Sequence, residues 1–150
     1  SVDSSTYLAN VVEDTTPQLG GALDANAKNI TNAGTVQADQ FQAILNSITS
    51  VSGAATLNAQ NGVYAELTLN EDCSLTITNL GVGTPAVIKV TQDAAAPPSF
   101  NITSYVVSGG LVLWPGGSVP TITTNANSID IITFISDGVN IYASIVQDFK

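Results

Sequence analysis

The sequence predicts a mainly β protein: an antiparallel β-sandwich or jelly-roll-like domain with an extended N-terminal arm and one short helix. Three observations predict it. Ser, Thr and Asn together supply 44 of the 150 residues, beside 12 Gly and 6 Pro, which is a composition of strands and tight turns. From about residue 55 onward, short segments alternate between apolar and polar residues. Turn signals separate those segments at short intervals: Asn70-Glu71-Asp72, Gly81-Val82-Gly83, Pro97-Pro98, Gly109-Gly110, Pro115-Gly116-Gly117 and Asp137-Gly138.

Residues 1–22 keep no sustained period and are punctuated by Pro17 and Gly20-Gly21. Their apolar residues Tyr7, Leu8, Val11, Val12 and Leu19 are too many for a solvated tail, so the stretch reads as an extended arm that packs on something else. Residues 23–38 alternate loosely and are rich in Asn, with Leu23, Ile30 and Val36 as their large apolar residues. They read as a short strand and turn docked on a neighbour. In 39–49, Phe41, Ile44, Leu45 and Ile48 fall at i, i+3, i+4 and i+7, which predicts a helix with Asp39 as N-cap. About three turns are too few to stand alone. The apolar stripe then packs either on the β domain or on symmetry mates in a three-fold cluster.

The predicted strands are 55–59, 63–69, 73–79, 86–92, 100–107, 111–114, 119–123, 128–136 and 139–147. Val63, Ala65, Leu67 and Leu69 share one face of the second, and Cys73, Leu75 and Ile77 one face of the third, so both are half-buried. Ile129, Ile131, Ile132, Phe134 and Ile135 form a nearly continuous apolar run, which predicts a strand that is central or covered on both faces. Asp137-Gly138 predicts a hairpin whose two central residues take positive φ. With a single helix visible, no parallel sheet is implied, and no internal repeat stands out. The resulting organisation is an arm over 1–38, a short helix and linker over 39–54, and the β domain over 55–150.

Composition removes many function classes. The chain has 12 acidic residues against 3 Lys, a formal charge of −9, and neither Arg nor His. A His-based triad or His metal site is excluded, and without Arg there is no bidentate phosphate clamp. Three Lys cannot neutralise a nucleic-acid backbone, and an anionic membrane surface repels the chain. Cys73 is the only cysteine, so no intrachain disulfide forms, and a reducing compartment such as a host cytoplasm fits. No apolar run approaches the ~20 residues of a membrane span, and no signal peptide opens the sequence, which begins at Ser1 as if an initiator Met had been removed. Charged residues make up only 10%, where soluble monomers carry about 25%. A surface of Thr, Ser and Asn loses little side-chain entropy when a partner covers it, so much of this exterior is expected to be buried by other subunits.

Chemistry-bearing candidates are few. Glu13-Asp14, Glu71-Asp72 and the set Asp24, Asn26 and Asn29 read as turn residues rather than metal ligands. Gly81-Val82-Gly83 lacks the helix and Lys of a phosphate cradle. Cys73 lies in an apolar alternation and reads as a buried, inert thiol. Trp114, just before Pro115-Gly116-Gly117, reads either as a sugar-stacking platform or as a core or interface aromatic. No catalytic, cofactor or metal site is expected, and the chain is not expected to be an enzyme. A polysaccharide hydrolase working through Asp130 and Asp137 is the weakest of the readings.

Two stretches carry a resemblance. EDTTPQLGGALDANAKNITNAGTVQADQF (13–41) resembles a segment of structural proteins of tailed bacteriophages. IKVTQD (88–93), LVLWPGGSVPTITTNANSIDIITFISDGVNIYA (111–143) and the closing QDF (147–149) resemble a β-rich module of phage tail-fibre and head-decoration proteins. Its landmarks here are Gln92-Asp93, Trp114 with the Pro-Gly-Gly after it, Pro120, Asn125, Asp130 and Asp137-Gly138. The resemblance implies a homotrimeric virion protein on the capsid outer surface, assembled in the bacterial cytoplasm. The short chain favours a capsid decoration (cement) protein bound to the major capsid protein. The alternative is a short tail-fibre or receptor-binding protein that recognises a host surface glycan. Tyr7, Leu8, Val11, Val12, Leu19, Phe41, Ile44, Leu45, Ile48 and Trp114 are the expected capsid or inter-subunit contacts.

Overall fold

Period-two alternation of buried and exposed side chains carries the chain through nine strands in a computed structural model that describes residues 35, 38–40, 42–94 and 100–150. They are β1 (Leu45–Ile48), β2 (Ala54–Asn58), β3 (Tyr64–Leu69), β4 (Cys73–Thr78), β5 (Pro85–Gln92), β6 (Ile102–Val107), β7 (Val112–Leu113), β8 (Ile129–Ser136) and β9 (Ile141–Phe149). The chain divides into two units, Ser1–Gln40 and Phe41–Lys150, and all nine strands lie in the second. The expected arm over 1–38 lies almost wholly outside the described residues.

Two sheets enclose one core. A six-stranded sheet runs β1-β3-β5-β8-β9-β7 and a three-stranded sheet runs β2-β4-β6. Successive strands from β1 to β6 alternate between the sheets, and each pairs in parallel with the strand two places later. The segment therefore winds as three stacked coils, with one strand of each coil in each sheet. Leu45 lies beside Tyr64, and Tyr64 beside Val87. β8 then runs antiparallel to β5, β9 antiparallel to β8, and the short β7 parallel to β9. The expected antiparallel pairing holds only for the last two major ladders. The parallel ladders among β1 to β6 need no helical crossover, because each return passes through a strand of the opposite sheet.

The inward columns of the two sheets meet. Leu57, Leu75 and Ile77 from the smaller sheet pack toward Leu67, Ile88 and Phe134 from the larger, all at most 1% exposed. The inward faces expected for 63–69 and 73–79 are the observed ones. β8 is central, between β5 and β9.

Three sequence expectations need correction. The stretch expected as a helix contains β1, a strand. Its apolar spacing fits a helix, but a buried amide decides the outcome. Asn46 Nδ2 donates to the Asn58 carbonyl at 3.0 Å, and the parallel ladder to β3 supplies the backbone partners. The neighbouring chain passes so close that a Cβ on Gly62, at φ 134°, would lie 2.2 Å from the Ile44 oxygen. Residues 119–123 form no strand, because their donors go to side chains. Ile122 N–H donates to Asn101 Oδ1 at 3.2 Å and Thr123 N–H to Asp130 Oδ2 at 2.6 Å. The β8–β9 hairpin is present, but its turn is longer than two residues and only Gly138 has positive φ, at 98°. Asp137 Oδ1 accepts from Val139 N–H at 2.8 Å and Asn140 N–H at 2.7 Å and so closes the loop.

Candidate functional site

Strand alternation on β8 sends Asp130, Ile132 and Phe134 inward and leaves Ile129, Ile131, Thr133 and Ile135 on the outer face of the larger sheet. The ladder with β9 sets Ile131 opposite Val146, Thr133 opposite Ser144 and Ile135 opposite Tyr142. β7 adds Leu113 beside Tyr142, and β5 adds Val87 beside Thr133 and Lys89 beside Ile131. The result is a face on which Ile131, Ile135, Tyr142 and Val146 are interleaved with Thr133, Ser144 and Lys89. Ile135 is 47% exposed, Tyr142 51% and Val146 59%. Such a row on one sheet face is what a partner's surface covers.

Charge on this face is sparse. Lys89 Nζ sits 2.6 Å from Glu66 Oε1 across the β3–β5 ladder, and that hydrogen bond is the main reason the ammonium is held above its ordinary pKa. At the end of β9, Lys150 reaches Asp148 at 3.1 Å. At the rim, Tyr142 Oη donates to Asp137 Oδ2 at 3.1 Å, which raises the phenol's pKa. Backbone hydrogen bonds from Asn140 and Val139 hold the Asp137 carboxyl below its usual range.

The expected contact residues fare differently. Tyr7, Leu8, Val11, Val12, Leu19 and Phe41 lie outside the described residues. Ile44 and Leu45 are exposed, beside the edge of the larger sheet. Ile48 points into the core. Trp114 is 8% exposed, with its ring edge-on to Tyr105 at a centroid distance of 4.9 Å. It is therefore a core aromatic, and it also lines a cavity of about 240 Å³ with Pro115, Pro120 and Ile145. Ile131, Ile135, Tyr142 and Val146 were not singled out as contacts. The signal for them was the apolar run on β8, which predicts cover on both faces where the single chain covers one.

The other candidates become structural. Asp130, 1% exposed, accepts from Thr123 N–H and, at 2.9 Å, from Asp148 N–H. The second bond caps a bulge where β9 carries an extra residue against β8, with Asp148 at φ 60°. Gln92 is buried, and its amide exchanges both hydrogen bonds with the backbone of Phe100, which ties the end of β5 to the start of β6. Glu71 accepts from Gly53 N–H at 3.2 Å and Asp72 from Asn101 N–H at 2.7 Å, joining neighbouring coils. Cys73 is buried, and burial is the main cause that pushes its thiol pKa up, with Glu71 and Asp72 adding to it. Asp130 and Asp137 are thus both engaged with backbone donors. Glu13-Asp14 and the Asp24, Asn26 and Asn29 set lie outside the described residues.

A cleft of about 430 Å³ opens between the ends of β4 and β6 and the β8–β9 turn. Ile77, Leu80 and Ile141 form its apolar part, Thr78, Asn79 and Ser108 its polar part, and none of the residues lining it is ionisable. Among the described residues no group of three or more Cys, Asp or Glu is placed to hold a metal ion, and no helix is long and apolar enough to cross a membrane. No protein-family model, no curated protein and no solved structure matches the chain.

Proposed function

We propose that this chain is a bacteriophage capsid decoration (cement) protein. In this reading a sandwich-like body of two sheets carries the N-terminal arm of residues 1–38, forms a homotrimer, and binds the lattice of major capsid protein on the outside of the virion. The observation that carries the reading is the outer face of the larger sheet. It carries exposed apolar residues and few charges on a chain of formal charge −9, so it favours contact with protein over water or polyanions. A cement protein works through covered area and through avidity from many copies, and it needs no reactive groups. The resemblance of 13–41, 88–93, 111–143 and 147–149 to phage virion proteins points the same way.

The test is binding to purified shells that lack the protein. The full chain binds expanded shells, and deletion of residues 1–22 abolishes or weakens binding while far-UV circular dichroism of the β domain is retained. Equal binding by the shortened chain overturns the role of the arm, and no binding by the full chain overturns the reading.

One observation favours the tail-fibre alternative. The outer face of the smaller sheet sets Thr56 beside Thr76, and Ser74 beside Ser104, whose hydroxyl donates to Ser74 Oγ at 2.7 Å. A neutral hydroxyl ladder of this kind suits a host glycan. That reading expects the purified protein to adsorb to host cells and block infection; the decoration reading expects neither.

A further inference from the structure

We propose that copies of this chain meet one another through the outer face of the larger sheet, with Ile131, Ile135, Tyr142 and Val146 at the centre of the contact. The proposal rests on the oligomeric virion-protein reading and adds which surface the sister copies share, leaving other surfaces for the shell.

Three features of the face select a second copy as its occupant. The first is charge. Two molecules of the same strong negative charge repel, so contact between them is least opposed where charge is absent or paired. On this face Glu66 is paired with Lys89, and the remaining carboxylate, Asp137, lies at the rim, where Tyr142 Oη donates to it. Glu71 and Asp72, by contrast, sit together at the β3–β4 turn without a cation among their hydrogen-bond partners. The second is area. Five strands spaced about 4.8 Å apart and roughly six residues long give on the order of 500 Å². Two such faces together reach about 1,000 Å², the lower bound for a specific protein interface. The third is the sequence of β8. Its outward Ile129, Ile131 and Ile135 match the inward positions in apolar character, yet among the described residues nothing covers them fully and they stay half-exposed or exposed. A strand apolar on both faces is one that is covered on both. In a trimer the like sheets of three copies, gathered around the three-fold axis, supply that cover with side chains of the same kind.

The experiment is sedimentation velocity of the full chain over a range of concentrations, without capsid. The native protein is compared with Ile131→Lys, Val146→Lys and, as a control on the opposite sheet, Thr76→Lys. The expected result is an oligomer for the native chain and for Thr76→Lys, and a shift of both face variants to the monomer with unchanged far-UV circular dichroism. A monomeric native chain, face variants that stay oligomeric, or dissociation by Thr76→Lys overturns the proposal. Ser144→Cys covers the case in which a lysine variant fails to fold. It is expected to cross-link between copies through a bis-maleimide, and a failure to cross-link counts against the proposal. Shell binding is scored separately. An oligomer that ignores shells defeats the decoration reading and leaves this interface standing, and a monomer that binds shells does the reverse.

Discussion

Asp130 is a buried side chain whose removal is expected to destabilise this fold. It is 1% exposed, and its two oxygens accept backbone N–H groups from Thr123 at 2.6 Å and Asp148 at 2.9 Å. A buried donor left without its acceptor costs about 1–3 kcal/mol. Asp130→Ala loses both and strands two donors, so a loss of roughly 3–5 kcal/mol is expected. Asp130→Asn keeps one acceptor oxygen, turns an NH2 toward the other donor, and is expected to lose about half as much. The assay is equilibrium urea unfolding at one fixed protein concentration, since an oligomer's apparent stability depends on concentration. With an m-value of roughly 2 kcal/mol/M, Asp130→Ala lowers the midpoint by about 1.5–2.5 M with m unchanged. A midpoint shift for Asp130→Ala below about 0.3 M would refute the claim that this carboxylate holds the 119–123 segment and the β9 bulge in place.

Three further outcomes follow from the same geometry. Gly62→Ala places a Cβ 2.2 Å from the Ile44 oxygen at a φ of 134°, so a destabilisation on the order of 2–4 kcal/mol is expected, with faster amide exchange in β1 as the local readout. Cys73, buried and with its pKa raised, reacts slowly with a thiol reagent at mildly alkaline pH and quickly once urea unfolds the chain; fast labelling of the native protein contradicts its placement. Asp137 has a depressed pKa, so its contribution to stability is present above the ordinary carboxylate value of about 4 and is lost as pH falls through its folded value. Asp137→Ala therefore melts lower than the native protein at neutral pH, and the gap closes in acid; a gap independent of pH contradicts the assignment.

The strands were legible because burial on one face leaves a period-two record. Ala65, Leu67 and Leu69 on β3 and Cys73, Leu75 and Ile77 on β4 show it plainly. The direction of pairing was not legible. Alternation is the same in parallel and antiparallel ladders, and the usual sign of a parallel pair, a helix between its strands, is absent when the return passes through the opposite sheet. Nor did the coils leave a repeat, since their stacked inward positions are filled by interchangeable residues such as Leu57 beside Ile77 and Leu67 beside Val90. β1 was hidden for another reason. Its spacing mimics a helix, and the hydrogen bond from Asn46 to Asn58 that decides against one connects residues far apart in sequence. The apolar face was half legible. The run on β8 announced a need for cover, but Tyr142 and Val146 join it only once β9 folds back in register.

The decoration reading is tested most directly by counting copies of this chain in purified virions, by quantitative mass spectrometry against the major capsid protein. A decoration protein is present in hundreds of copies, in fixed proportion to the shell lattice. A few dozen copies or fewer would place the chain on the tail and contradict the account.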